Sequence, residues 1–316
     1  MSYIVAAPVP FSFGSFDYFC NQIALPFCPL INGGKEPACY ARNIDIGLLI
    51  FEPATLVIHI IALIMTAIMI SHIKFKFTAV GRKEIVLFFY LYAVTIVAEF
   101  LVISGIIPFS SSLYPYFVAT HSSLAISTLW CLFVNGFVPF QFIEDGTPKS
   151  LWLLRISTLV IFVASYFINI ATMKSIFGFS SSNPAIMWTL YFVFGAAFVF
   201  IYFVLQIILV FSSLNERSPI FDIMLAASFA ICAQVVAFVF SNTICNVVKH
   251  YLDGMFFSTI FNLLAVMMVY KYWDSITKED LEFAVGCKNN TWEIRDPLLS
   301  DSAMASMSES NYGARR

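Results

Sequence analysis

Long apolar stretches alternate with short polar breaks along this chain. A helix needs about 20 apolar residues to cross a hydrocarbon core about 30 Å thick. Seven stretches reach that length: Asp45 to Ile70, Ile85 to Ile107, Tyr116 to Phe140, Leu151 to Met173, Ala185 to Phe211, Ile220 to Phe240 and Met255 to Tyr272. Turn or charge signals separate them, at Gly81-Arg82-Lys83, Pro108 to Pro115, Glu144-Asp145-Gly146, Asn183-Pro184, Ser218-Pro219 and Asp253-Gly254. Connections this short predict antiparallel neighbours and leave no room for a separate soluble domain. The third stretch carries His121, Ser122, Ser123, Ser127, Thr128 and Asn135. Small and polar residues suit a helix that faces other helices, so this span is predicted to lie inside the bundle. The pattern predicts an all-α polytopic membrane protein with seven transmembrane helices. Residues 1–44 form an N-terminal tail, 45–273 the bundle, and 274–316 a C-terminal tail that is disordered from about residue 300.

Composition points the same way. Of 316 residues, 60% are hydrophobic and 11% charged, and the mean hydropathy is +0.85. Soluble domains carry about 25% charged residues, so lipid is expected to cover part of this surface. A net charge of -2 without a basic stripe excludes nucleic acid as a partner. Lys and Arg set the orientation. The loop after the first span holds Lys74, Lys76, Arg82 and Lys83, whereas the loop after the second holds no basic residue. This bias puts the first loop and the C-terminus in the cytosol. Seven spans then put the N-terminus on the lumenal side. The first basic residue is Lys35, so the charged start of a signal peptide is missing, and targeting is expected to fall to the first span.

Cys20, Cys28 and Cys39 in the tail and Cys245 after the sixth span all fall on the non-cytosolic side of that topology. The compartment is oxidising, so disulfides are expected there. Four cysteines allow three pairings, and the sequence does not choose among them. No C-x-x-C pair is present, which argues against a metal site.

Ionisable groups at membrane depth mark function or interhelical contact. Glu52 and His59, seven residues apart, share a helical face about 10 Å apart. Glu99 lies in the second span, Gln206 in the fifth and Gln234 in the sixth. The plain reading is that these groups hydrogen-bond between helices and hold the bundle together. A metal hydrolase would need ligands converging at one depth, but the four histidines, His59, His72, His121 and His250, are spread across the membrane. No H-E-x-x-H, G-x-S-x-G, P-loop or G-x-G-x-x-G motif occurs. No catalytic residue, metal or cofactor is therefore expected. A seven-helix receptor or sensor and a membrane-embedded lipid hydrolase both stay open on topology. Beyond Trp273, Thr277 with Asp280 three residues on resembles a capping box, which predicts a short separate helix from about Lys278. The one sequon, Asn289-Asn290-Thr291, is expected in the cytosol and unglycosylated.

The chain also resembles a family along nearly its whole length. The matching runs are Cys20 through Leu25-Pro-Phe-Cys28, Cys39-Tyr-Ala-Arg42, Ile61-Ala-Leu-Ile-Met-Thr66 and Phe77-Thr-Ala-Val-Gly-Arg-Lys-Glu84. They continue with Tyr114-Pro-Tyr-Phe-Val-Ala119, Glu144-Asp-Gly-Thr147, Ile244-Cys245 and His250-Tyr-Leu-Asp-Gly-Met-Phe-Phe257. The last are Met267-Met-Val-Tyr-Lys271 and Trp273-Asp-Ser-Ile-Thr-Lys-Glu-Asp-Leu-Glu-Phe283. These resemble the fungal chitin synthase export chaperones. The family pattern leads one to expect glutamine at position 121, where histidine stands. The resemblance implies a client-specific, non-catalytic chaperone of the endoplasmic reticulum membrane, with a polytopic chitin synthase as client. Polar faces of the third and sixth spans, with Asn135, Ser228 and Gln234, would cover unpaired client helices within the lipid bilayer. Lys74, Lys76, Arg82 and Lys83, with Asp280 and Glu282 of a D-x-E triplet similar to an export signal, would meet the client or vesicle-coat machinery.

Overall fold

The computed structural model describes residues 10–293, apart from residues 32, 35, 46–48, 78, 144 and 214–216, with backbone alone at 49, 213 and 278–293. Lys35 and the segment from residue 296 onward lie outside the described residues, as does the expectation of disorder from about residue 300.

Among the described residues, seven helices are long and apolar enough to cross a membrane: span 1 (Pro53–Phe75), span 2 (Arg82–Ile103), span 3 (Tyr114–Phe140), span 4 (Pro148–Met173), span 5 (Ala185–Ser212), span 6 (Ser218–Val247) and span 7 (Gly254–Thr277). Span 1 begins later than the apolar pattern suggested. Pro53 opens the helix because it has no N–H to leave unpaired in the first turn. Glu52, before it, is held in the left-handed region at φ 47°. Two short strands, Ile44–Asp45 and Leu49–Ile50, pair antiparallel just upstream. Apolar content had read as helix what includes a short antiparallel strand pair.

Spans 1 to 4 pack in sequence, span 3 also touches span 5, span 6 packs on span 7, and span 7 returns to span 1. Span 3 is the most enclosed of the seven and spans 4 and 6 the least. The hydroxyls and amides of span 3 explain its position. Thr95 and Thr128 join spans 2 and 3 at 3.0 Å, and the Asn169 amide of span 4 donates to Ser123 at 3.1 Å. Such polar contacts hold helices together where lipid offers no hydrophobic drive between them.

Spans 5 and 6 each contain a π-helical turn, at Thr189–Phe194 and Val236–Phe240. A short helix of the tail, Asp17–Gln22, packs against both. Its Phe19 stacks on Phe192 at 4.2 Å between ring centres and meets Phe238 edge-on at 5.0 Å. Phe16, Phe27 and Ile31 of the tail are fully buried in the apolar cluster beneath. The tail is therefore a folded cap on one end of the bundle.

At the opposite end the seventh helix does not stop and restart. It runs from Gly254 to Glu293. Thr277 donates back to the Trp273 carbonyl at 3.0 Å, one turn behind, and caps nothing. The expected separate helix from Lys278 is thus part of one long helix.

Candidate functional site

Two disulfides fasten the tail cap. Cys20 pairs with Cys28 and Cys39 pairs with Cys245. The first lies within the tail, among Phe16, Ile23, Leu25 and Phe27. The second joins the tail to the end of span 6, beside His250, which approaches the Cys39 Sγ at 3.3 Å. The Arg42 N–H donates to the His250 carbonyl at 2.8 Å, and the Asn242 amide of span 6 donates to the Asn21 carbonyl at 3.1 Å. Cys131 and Cys232 are free thiols, and the Cys287 side chain lies outside the described residues.

Below the cap a line of ionisable groups descends into the bundle. Glu52 and Asp253 are both buried, one at the head of span 1 and one just before span 7. The two carboxyls lie close enough to influence each other. Burial first, then the charge of Asp253, hold the Glu52 carboxyl well above the usual carboxylate range. Burial also raises Asp253, partly offset by the backbone N–H of Phe256 donating to it. Glu52 thus faces Asp253 and not His59, the residue with which its spacing had grouped it.

His59 instead meets Glu99. Its Nδ1 lies 2.8 Å from the Thr55 carbonyl and so carries a hydrogen, while Nε2 lies 3.3 Å from Glu99 Oε2. The contact is close but not an aligned hydrogen bond, and it is an ion pair only when His59 is protonated. His121 of span 3 approaches the same oxygen at 4.0 Å. Two histidines assigned to different depths therefore share one carboxylate. Among the described residues, His121 Nδ1 and the Ser122 hydroxyl have no hydrogen-bond partner.

Gln206 ties three spans. Its amide donates to the Gly136 carbonyl at 3.2 Å, and its oxygen accepts from the Tyr272 hydroxyl at 3.0 Å. Gln234 is different: it lies exposed on span 6, as does Ser228. Asn135 cannot join them on an outer face. It is buried, and its amide donates to the Cys131 carbonyl of its own helix at 2.7 Å.

The end opposite the cap is polar and closely paired. Lys76 forms an ion pair with Asp274, joining the first loop to the seventh helix. Lys74 reaches the Tyr90 hydroxyl, Arg82 donates to the Lys74 carbonyl at 3.1 Å, and Lys83 donates to the Gly146 carbonyl at 3.1 Å. Sequence reasoning missed Glu84, which is fully buried and accepts from the Gly146 N–H at 2.7 Å and the Ser150 hydroxyl at 3.0 Å. It also missed the Asp222–Lys271 pair at 2.9 Å between spans 6 and 7. The side chains of Asp280 and Glu282 lie outside the described residues.

Fold and site together define a seven-span α-helical membrane protein whose ionisable groups answer one another across helices. A model of the chitin synthase export chaperone family matches residues 12–287, and the chain belongs to that family. It is 50% identical over 297 residues to the chitin synthase export chaperone of Cryptococcus neoformans, covering 92% of this chain and 81% of that protein. The counterpart in Coccidioides immitis is 47% identical over 304 residues, covering 94% and 92%, and that in Gibberella zeae is 47% identical over 311 residues, covering 95% and 93%. No solved structure matches the chain.

Proposed function

We propose that the chain is a non-catalytic chaperone of the endoplasmic reticulum membrane, needed for export of a polytopic chitin synthase and hence for cell-wall chitin. Family membership supports the client class. One structural observation carries the mode of binding: span 6, among the least enclosed helices, exposes Gln234 and Ser228 at membrane depth. An amide left facing lipid costs free energy, and a polar side chain of a client helix would satisfy it. Most of the other intramembrane polar groups are engaged inside the bundle, His121 Nδ1 and the Ser122 hydroxyl excepted, which favours a scaffold over a reactive centre. Neither a receptor nor a lipid hydrolase gains support from the comparisons.

The orientation proposed is cap in the lumen and C-terminus in the cytosol. Disulfides at the cap end and the Lys74–Lys83 loop at the other support it. Lys74, Lys83 and the seventh helix beyond Thr277, with Asp280 and Glu282, are proposed to meet the client's cytosolic part or the export coat. Lys76 is partly committed to Asp274.

The test is complementation of a deletion strain. Gln234→Leu with Ser228→Leu should fold and reach the endoplasmic reticulum, yet fail to co-purify the synthase, which stays internal while wall chitin falls. Truncation after Thr277 should keep the bundle and lose export. Normal synthase delivery in the deletion strain itself would end the chaperone reading. Normal delivery by the double variant alone would end only the span 6 surface.

A further inference from the structure

His250 stands beside the Cys39–Cys245 bridge in a way that no neighbour of Cys20–Cys28 does. Its Nδ1 lies 3.3 Å from the Cys39 Sγ and 3.7 Å from the Cys245 Sγ. Among the described residues these form the one group of three or more histidine, cysteine or acidic side chains whose ligand atoms all lie within 4.8 Å of one another. They come from distant points of the chain, the tail and the turn after span 6. The Arg42–His250 backbone bond holds those two segments in register independently of the sulfurs.

Tetrahedral zinc takes thiolate sulfur at about 2.3 Å and imidazole nitrogen at about 2.0–2.1 Å, which puts sulfur and nitrogen about 3.6 Å apart and two sulfurs about 3.8 Å apart. Both sulfur–nitrogen distances already bracket the first value. Only the two sulfurs must part. The sulfurs are buried, whereas His250 is exposed, leaving one side open for a fourth, water ligand.

We propose that Cys39, Cys245 and His250 form a zinc site when the bridge is reduced. The balance is simple. A dithiol gives two electrons and two protons to the Cys39–Cys245 bond, leaving two thiols here and a disulfide on the reductant. Zn2+ then displaces both thiol protons and accepts the Nδ1 lone pair of His250. In the oxidised protein Nδ1 faces the Tyr40 carbonyl at 3.2 Å. Zinc takes over that nitrogen, so the contact is given up and the ring hydrogen moves to Nε2.

The site has a use in assembly. Cys20 and Cys28 are 8 residues apart and meet readily, whereas Cys39 and Cys245 are 206 apart. Loop closure becomes costlier with length. A metal that gathers the distant pair holds the tail on the bundle before oxidation and shields both thiols from wrong partners, the client's included.

The experiment uses the full chain, purified in mild detergent, reduced with dithiothreitol, freed of reductant and titrated with Zn2+ against a chromophoric chelator. One zinc per chain is expected, with Cys39 and Cys245 protected from alkylation and the exposed Cys232 not. Cobalt(II) in its place should show thiolate charge-transfer and tetrahedral d–d bands. The oxidised protein should bind none. Cys39→Ser should abolish stoichiometric binding, and His250→Ala should weaken it about tenfold or more. Cys20→Ser with Cys28→Ser should leave it intact, and size-exclusion profiles check that each variant is folded. No zinc on the reduced wild-type chain would overturn the proposal, as would equal binding by Cys39→Ser or His250→Ala.

Discussion

At Gly254 the start of span 7 packs tightly against Ser241 of span 6. A Cβ there would sit 2.5 Å from the Ser241 Cβ and 2.8 Å from its Cα. Ordinary van der Waals separation begins near 3.4 Å. Gly254→Ala must therefore push the two backbones apart by more than half an ångström, because Ser241 cannot swing its own main chain aside. Overpacking of this kind costs about 1–3 kcal/mol. The shift also stretches the 3.1 Å bond from the Gly254 N–H to the Ser241 hydroxyl, which adds about 0.5–1.5 kcal/mol. The total expected is about 2–4 kcal/mol. Ser241→Gly removes the two nearer atoms but leaves the main chain of residue 241 in the way, so the double variant should recover part of the loss. A coupling energy of about 1 kcal/mol or more is expected, as for other residues that touch directly. Unfolding in mixed micelles of rising SDS fraction, followed by tryptophan fluorescence, measures each corner of the cycle. A Gly254→Ala protein as stable as wild type, or additive behaviour of the pair, would refute the close approach.

The Glu52–Asp253 pair should make stability depend on pH. A carboxyl whose folded pKa is raised binds a proton that the unfolded chain releases, so its contribution is complete below the ordinary value near 4 and is lost as pH rises through the raised one. The bundle should be more stable at pH 5 than at pH 8, and Glu52→Gln should flatten that slope; parallel slopes would sink the assignment. Glu84→Ala strands two donors and should cost about 2–4 kcal/mol in the same SDS titration, whereas Glu84→Gln, which keeps an acceptor in place, should cost less. Lys76→Glu should lower the midpoint by about 0.5–1 kcal/mol, and adding Asp274→Lys should restore it if the two groups pair in solution.

Span count was legible because lipid makes a demand on every residue of a spanning helix, and an apolar run answers it visibly. Helix starts were less so. Ile46, Leu48 and Ile50 extend the apolar run of span 1, but the helix waits for Pro53 because backbone geometry, not hydropathy, decides where it opens. Site residues divided along the same line. His59 and Glu99 stood out as charges at membrane depth, yet their union with His121 depends on how three helices cross. Asp253 and Glu84 look like punctuation at helix boundaries. Their burial is a tertiary fact that no local pattern announces. The π turns of spans 5 and 6 have no sequence signal strong enough to find them, though Phe192 and Phe238 show what they serve.

Where a client could sit follows from what is already occupied. One end of the bundle is closed by the tail, sealed by the Cys39–Cys245 bridge and by Phe19 between Phe192 and Phe238. The other end is laced by Lys76–Asp274, Glu84–Gly146 and the Trp273 indole donating to the Val80 carbonyl at 3.3 Å. Span 3 is enclosed, and most of its polar groups bond to spans 2 and 4 or back to their own helix. The membrane-facing sides of spans 4 and 6 remain, and of these span 6 carries the exposed amide. A protein that shelters another's unpaired helices needs a rigid frame and one unsatisfied face. Fastening both ends while leaving Gln234 outward provides that arrangement, and it predicts that a client competes with lipid for span 6 and leaves the fold of the bundle unchanged.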